Sequence, residues 1–309
     1  MSTNNILFIE DIEKADKLYM LVRNERRYEE ERRFLEQMWA NFVPYADKHF
    51  RQQLVKQFHQ RFWEMYLGNA FLELRFRLDP NLGDKPDLCV LMGKIKVWVE
   101  ATAPRRGTGE NAVPELRIYK GEPETTLEAH TVPSEEIILR FTNAIDEKIK
   151  KYIKYIDKKI ISSDDPYIIA LNGADIGHEY LEEDRVPRIL KAIFPIGDFS
   201  VTLDTSSEKT RVVRSGYLYR PSLTKRSGGE VSTAIFLNPD NSGISGLLYS
   251  RVHLNALRNF TGKFSPSPFG IDFHLIHNPM ASNPVPYGWL KIGLEYSWEN
   301  GQLCIKRWS

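Results

Sequence analysis

The pattern of apolar and polar positions between Lys85 and Pro104 predicts a β-hairpin. Two β-rich runs, Asp87–Leu91 and Ile95–Ala101, flank Gly93 and Lys94, a pair suited to a tight two-residue turn. One face of this predicted hairpin is wholly apolar and must pack on a core. The other face is only partly polar, and it carries the acidic residues.

In this register Asp87 lies directly opposite Glu100, and Lys85 lies opposite Thr102. Facing side chains in one ladder have Cβ atoms about 4.5–5.5 Å apart, and like charges at that spacing are destabilising. A divalent metal ion bound by both carboxylates is the simplest way to stabilise the pair. Two alternatives are a register that differs by one residue and a nearby lysine that neutralises an exposed pair.

Helical patterns dominate residues 10–75. The first part, Glu10–Ala40, is dense in Arg and Glu with few apolar positions, which predicts a solvated arm or a helix that contacts another subunit of a homodimer. The second part, Asp47–Leu74, is far more amphipathic and encloses Glu64 among large apolar residues. Glu64 must therefore reach water or have a charged partner. We assign residues 1–60 to an N-terminal helical arm and residues 61–309 to an α/β domain.

A second amphipathic helix is predicted from Ser134 to about Ile160, and Lys148 falls inside its apolar stripe. A lysine in that position is anomalous unless its ammonium meets an acid; the other lysines around the stripe are expected to be mostly solvated. The run Tyr167–Asn172 is continuously apolar, as in a strand buried on both faces. The remaining chain is rich in strand patterns and ends in a hairpin that turns at Glu299–Gly301. The fold class is therefore α/β, with an N-terminal helical segment and a β-rich C-terminal half.

Composition narrows the functional classes. The chain has 309 residues, 42% hydrophobic and 27% charged, with a formal net charge of +1. This balance argues against a protein that coats nucleic acid by charge alone, but it allows a local basic groove. The two cysteines, Cys89 and Cys304, lie in predicted strands and favour a reduced, cytoplasmic protein over a disulfide framework. The sequence shows neither a signal peptide nor an apolar run long enough for a bilayer, so no membrane partner is expected.

The order of the acidic motifs resembles a known superfamily. A helical Glu64 is followed by Pro86-Asp87, by the strand-borne V-E-A-T of Val99–Thr102, and then by a helix and a buried strand. Over residues 61–172, about a third of the chain, this resembles the PD-(D/E)xK, or restriction-endonuclease-like, nucleases. The resemblance implies a mixed central β-sheet flanked by helices and a Mg²⁺- or Mn²⁺-dependent nuclease, a hydrolase acting on nucleic acid, with DNA favoured over RNA. It also implies that Asp87 and Glu100 are metal ligands and that Glu64 is an outer acid acting through water.

The sequence departs from the superfamily pattern at Thr102, where the motif has a lysine that orients or deprotonates the attacking water. Lys96 lies four residues before Glu100, about 13 Å away along a strand, which is too far. We favour Lys148 as the replacement, with Lys85 as the second candidate. The remaining alternative is that no lysine replaces it, and that the protein is an inactive, nuclease-like module for nucleic-acid binding or assembly.

A basic segment, Lys209–Arg226, combines arginines and lysines with two tyrosines. Such a mixture suits phosphate contacts combined with base stacking. It predicts that Arg211, Arg214 and Arg220 bind nucleic acid. The alternative is a solvated strand and turn.

Overall fold

An eight-stranded mixed β-sheet forms the centre of the molecule. The structure is a computed structural model, and the residues that it describes are 6–9, 14–80, 83–115, 132–178, 181, 186–206, 210–257 and 263–308. The strands of the central sheet are β1 (Arg77–Asp79), β2 (Leu88–Met92), β3 (Ile95–Thr102), β4 (Tyr167–Asn172), β9 (Gly246–Ser250), β10 (His274–His277), β11 (Leu294–Glu299) and β12 (Gln302–Arg307). Two antiparallel pairs of described strands lie outside this sheet: β5 (Ile196–Asp204) with β6 (Arg211–Tyr219), and the shorter β7 (Ser222–Thr224) with β8 (Glu230–Ser232).

The strand order across the sheet is β1-β2-β3-β4-β9-β10-β11-β12. Neighbours β3, β4 and β9 run parallel to one another, whereas β1, β2 and β3 are successively antiparallel. The carboxyl ends of β3, β4 and β9 therefore meet at one edge of the sheet, which is where open α/β sheets generally bind ligands. The predicted α/β class with a mixed central sheet is confirmed.

Helices cover both faces of the sheet. They are α1 (Lys17–Asn24), α2 (Glu29–Phe42), α3 (Phe50–Lys56), α4 (Phe58–Glu73), α5 (Ser134–Asp157) and α6 (Arg188–Ile193). The first four share one hydrophobic core with one face of the sheet, while α5 and α6 share a second core with the other face. Strand β4 is buried throughout because it contributes side chains to both cores. Within the described ranges, no helix has both the length and the apolar character needed to span a bilayer.

Both predicted hairpins are confirmed, the first of them in register. Strands β2 and β3 pair Leu88 with Val99, and Gly93 has the positive φ of 64° that the turn requires. At the C-terminal hairpin, Asn300 (φ 50°) and Gly301 (φ 77°) both have positive φ, as in a primed two-residue turn. In each hairpin the turn chemistry fixed the pairing. For β2 and β3, the faces assigned from the sequence also hold, because they contribute to two different cores.

The interpretation of Glu10–Ala40 as a solvated arm is wrong in the described part of that segment. Helix α2 buries Leu35, Met38, Trp39 and Phe42 in the core that it shares with the sheet. These residues recur at the i, i+3, i+4, i+7 spacing of a packed face, so the charged residues occupy the rest of the helix. Residues 10–13 lie outside the described part, and the division of the chain at residue 60 stays a prediction.

Candidate metal-binding cavity

A cavity of about 430 Å³ lies at the carboxyl end of β3, between α4 and α5. The sequence predicted four catalytic side chains, Glu64, Asp87, Glu100 and Lys148, and all four line this cavity. They come from helix α4, from the segment just before β2, from β3 and from α5. The fold therefore brings together residues that are up to 84 positions apart in the sequence.

Glu100 is the most enclosed of the acids, with none of its surface exposed. Its Oε1 atom accepts hydrogen bonds from Lys148 Nζ (2.7 Å) and Lys151 Nζ (2.6 Å), and its Oε2 atom accepts one from the Tyr155 hydroxyl (3.3 Å). These three donors lie at i, i+3 and i+7 of α5, which places them on one face of the helix. Helix α5 therefore fixes the position of the Glu100 carboxylate.

Asp87 lies one residue before β2, beside the carboxylate of Glu100. Its Oδ2 atom accepts a hydrogen bond from the backbone amide of Ala101 at 2.8 Å, which ties it to the end of β3. The pKa of Asp87 is raised well above its ordinary value, first by burial and then by the negative charges of Glu100 and Glu64. The nearby Lys148 and Lys151 lower this pKa, but by less.

Glu64 confirms the expectation that a carboxylate on this helix needs a charged partner. It forms an ion pair with Arg61 one turn earlier and accepts a hydrogen bond from Gln60 Nε2 at 2.9 Å. Gln60 also accepts a hydrogen bond from the Ala103 amide at 2.7 Å, so it joins α4 to the end of β3. Burial raises the pKa of Glu64 despite these partners.

The carboxylate oxygens of the cavity are suitable ligands for a hard divalent cation. Three carboxylates (Glu64, Asp87 and Glu100) meet four cationic side chains (Arg61, Arg105, Lys148 and Lys151). Around Asp87 itself, the negative charges of Glu100 and Glu64 raise the pKa by more than Lys148 and Lys151 lower it. Carboxylate oxygens are the ligands that Mg²⁺ and similar ions prefer, so this set of donors fits such an ion.

No family model, curated protein or solved structure matches the chain. The resemblance to the restriction-endonuclease-like superfamily therefore stays a prediction. What the structure shows is an α/β fold with a mixed central sheet.

The two lysines proposed to replace the missing motif lysine occupy different places. Lys148 contacts Glu100 directly, at 2.7 Å. Lys85 lines an outer groove, with its Nζ atom 6.0 Å from the centre of the Trp98 ring. Of the two, Lys148 is the lysine in direct contact with Glu100, and its catalytic role stays a prediction.

Sequence reasoning missed Lys151, which was expected among the solvated lysines of α5. Its side chain is 43% exposed, yet its Nζ atom lies against the fully buried Glu100. Burial by itself lowers the pKa of Lys151. The negative charges of Glu100 and Asp87 together raise it by more, so the pKa of Lys151 lies above its ordinary value. The i, i+3 spacing from Lys148 is the sequence signal that could have revealed it.

A larger groove of about 1000 Å³ adjoins the cavity and shares Arg61, Asp87 and Lys151 with it. Basic side chains predominate along its walls: Lys48, His49, Arg61, Lys85, Lys151, Lys154 and Lys158, against Asp47, Asp84 and Asp87. This is the local basic groove that the near-neutral net charge allowed, and it leads directly to the acids.

The three arginines predicted to bind nucleic acid, Arg211, Arg214 and Arg220, are not among the described residues that line the acidic cavity or the basic groove. Arg211 and Arg214 are exposed on the β5–β6 ribbon. Arg220 follows the ribbon and is mostly buried, with its side chain 18% exposed and its Nη1 atom 4.0 Å from Glu135. Lys209 lies outside the described residues. The predicted role of this segment remains untested, and Arg220 is less available to a ligand than the other two arginines.

Proposed function

We propose that the protein is a metal-dependent nuclease that hydrolyses phosphodiester bonds of nucleic acid, with DNA as the first substrate to test. The observation that carries this proposal is the convergence of Glu64, Asp87 and Glu100 with Lys148 in one cavity. A basic groove beside that cavity adds a path for a phosphate backbone.

Asp87 and Glu100 would hold Mg²⁺ or Mn²⁺, with Glu64 acting through water. A carboxylate offers about four lone-pair sites, and Glu100 receives hydrogen bonds from Lys148 and Lys151 on Oε1 and from Tyr155 on Oε2, which leaves one site, on Oε2, for a cation. When bound, such an ion lowers the pKa of water and stabilises charge on the phosphate.

Lys148 supplies the function of the lysine that the motif lacks. Its amine is fixed 2.7 Å from Glu100, so it can orient a water molecule beside the acids and donate to a phosphate oxygen as negative charge develops there. Thr102, at the motif position, has no group that can take this role.

A second candidate function is nucleic-acid binding without cleavage. It is favoured by one observation: Lys148 and Lys151 already pair with Glu100 on the same oxygen, so this carboxylate is neutralised without a metal. The basic groove would then bind a phosphate backbone that is never cut.

The test is incubation of the protein with plasmid DNA, single-stranded DNA and RNA in Mg²⁺, Mn²⁺ or EDTA. We expect cleavage in Mg²⁺ or Mn²⁺, none in EDTA, and none from Asp87→Asn. Glu147→Gln, an exposed acid next to Lys148 on α5, is the matched control and should cleave like the unmodified protein. Retained binding without cleavage would favour the second function, and neither binding nor cleavage would overturn both.

A further inference from the structure

A second cluster of metal-ligating side chains lies at the same edge of the sheet. It consists of His59 on α4, Asp175 just after β4 and His253 just after β9. One possible ligand atom from each residue lies within 4.8 Å of the others. Strands β4 and β9 are parallel neighbours, so their carboxyl ends bring Asp175 and His253 together, and α4 supplies His59.

The distances suit a shared ion better than direct pairing. His253 Nε2 lies 3.6 Å from Asp175 Oδ1, longer than a hydrogen bond. Two ligands of one tetrahedral zinc ion, each bonded at 2.0–2.1 Å, are about 3.4 Å apart. The rings of His59 and His253 have centroids 5.0 Å apart, so the two imidazoles approach each other closely.

A supporting hydrogen bond orients the buried histidine. His59 is only 4% exposed, and its Nε2 atom lies 3.0 Å from Asn172 Oδ1. The Asn172 amide nitrogen donates to the Val252 carbonyl at 2.8 Å, which identifies Oδ1 as the acceptor. Nε2 of His59 therefore carries the proton, and Nδ1 keeps the lone pair. Metal-binding histidines commonly have such a partner on the second nitrogen.

We propose that His59, Asp175 and His253 form a binding site for a divalent transition-metal cation of the zinc type. Two imidazole nitrogens and one carboxylate select such an ion over Mg²⁺, which prefers all-oxygen ligands. Three protein ligands leave a fourth position open to water or another small ligand. This site is distinct from the acidic cavity and does not depend on the proposed nuclease activity.

Two contacts compete with metal binding and should set its affinity. Arg105 Nε lies 3.8 Å from Asp175, and Arg105 also pairs with Asp16 at 3.1 Å. Coordination through His253 Nε2 places the proton on Nδ1, so the Asn255 amide must give up its 3.2 Å contact with that atom. We therefore expect Arg105→Gln to bind the metal more tightly than the unmodified chain.

The experiment is calorimetric titration of the full chain with Zn²⁺, together with Co²⁺ absorption spectra. Both are done in an Asp87→Asn background, so that the acidic cavity contributes less. We expect one Zn²⁺ per chain and the visible absorption of tetrahedral Co²⁺. Asp175→Asn and His253→Ala should each weaken binding by more than the 10–100-fold typical of losing an outer-shell partner.

Asp240→Asn is the matched control, because Asp240 is an exposed aspartate outside the cluster, and it should bind Zn²⁺ unchanged. Circular dichroism verifies the fold of each variant. If His253→Ala does not fold, the more conservative Asp175→Asn decides, since the Asp175 side chain is 25% exposed. Absence of Zn²⁺ binding in the parent, or equal binding by parent and Asp175→Asn, would overturn the proposal.

Discussion

Replacing Lys148 with methionine separates the structural role of this residue from its catalytic role. Glu100 is fully buried, and leaving its carboxylate without any cationic partner would lower the free energy of unfolding by about 3–5 kcal/mol. In Lys148→Met, however, Lys151 stays 2.6 Å from the same oxygen. The expected loss of unfolding free energy is therefore one hydrogen bond to a charged group, about 1.5–3 kcal/mol.

The matched variant is Lys151→Met, which removes the other donor to the same Glu100 oxygen and should cost a similar amount in urea unfolding. Because each lysine compensates for the other, the double variant should lose more than the sum of the two single losses. A strictly additive result would show that neither lysine compensates for the loss of the other.

Single-turnover cleavage then distinguishes the two lysines. Lys148→Met should reduce the rate by about the 10²–10⁴-fold typical of a lost general acid or base, while Mn²⁺ binding persists because Asp87 and Glu100 remain. Lys151→Met should cause a much smaller loss. The assignment of Lys148 is refuted if Lys148→Met cleaves normally, or if Lys151→Met is the more damaging change.

Two further predictions concern pH and salt. Because the pKa of Asp87 is raised in the folded protein, its protonated carboxyl contributes to the stability of the metal-free protein at low pH. This contribution is complete below about pH 4, the pKa of Asp in the unfolded chain, and is lost as the pH rises through the pKa of Asp87 in the folded protein. Asp87→Asn should thus raise the free energy of unfolding in EDTA at pH 8. The gain is at most about 1.4 kcal/mol for each unit by which the folded pKa of Asp87 exceeds the unfolded pKa, because solvent screening reduces it. The gain should vanish near pH 3, and a pH-independent difference would be inconsistent with it. Replacing Arg211 and Arg214 with glutamine should lower the log–log salt slope of duplex DNA binding by about 1.8; an unaltered slope would remove both from the interface.

Local chemistry explains why the candidate cavity could largely be predicted. The Gly93 turn fixed the register that brings Asp87 beside Glu100, and the apolar stripe of α5 identified Lys148 as a lysine that needs an acid. Each inference used residues close in sequence, where side-chain period and turn type leave few alternatives.

Burial of α2 was missed because the apolar face is confined to the C-terminal half of a long charged segment. Averaged over Glu10–Ala40, the composition resembles a solvated helix, whereas Leu35, Met38 and Trp39 form a packed face. The charged remainder includes Arg32, which donates to the Val22 carbonyl and so belongs to the structure as well.

The histidine cluster could not be inferred from spacing. His59 and His253 are 194 residues apart. Asp175 and His253 meet because β4 and β9 are parallel neighbours, and His59 joins them from α4. No local pattern specifies that pairing, since parallel neighbours depend on the topology of the whole sheet.

Calorimetric titration with Mn²⁺ tests most directly the claim that the facing acids form a metal site. The titration is done in an Asp175→Asn background, so that the histidine cluster does not contribute. We predict binding that Asp87→Ala and Glu100→Ala each abolish, because the two carboxylates hold one ion together. Binding that persists unchanged in both variants would contradict the account and leave the acidic cavity as a self-neutralised ion-pair network.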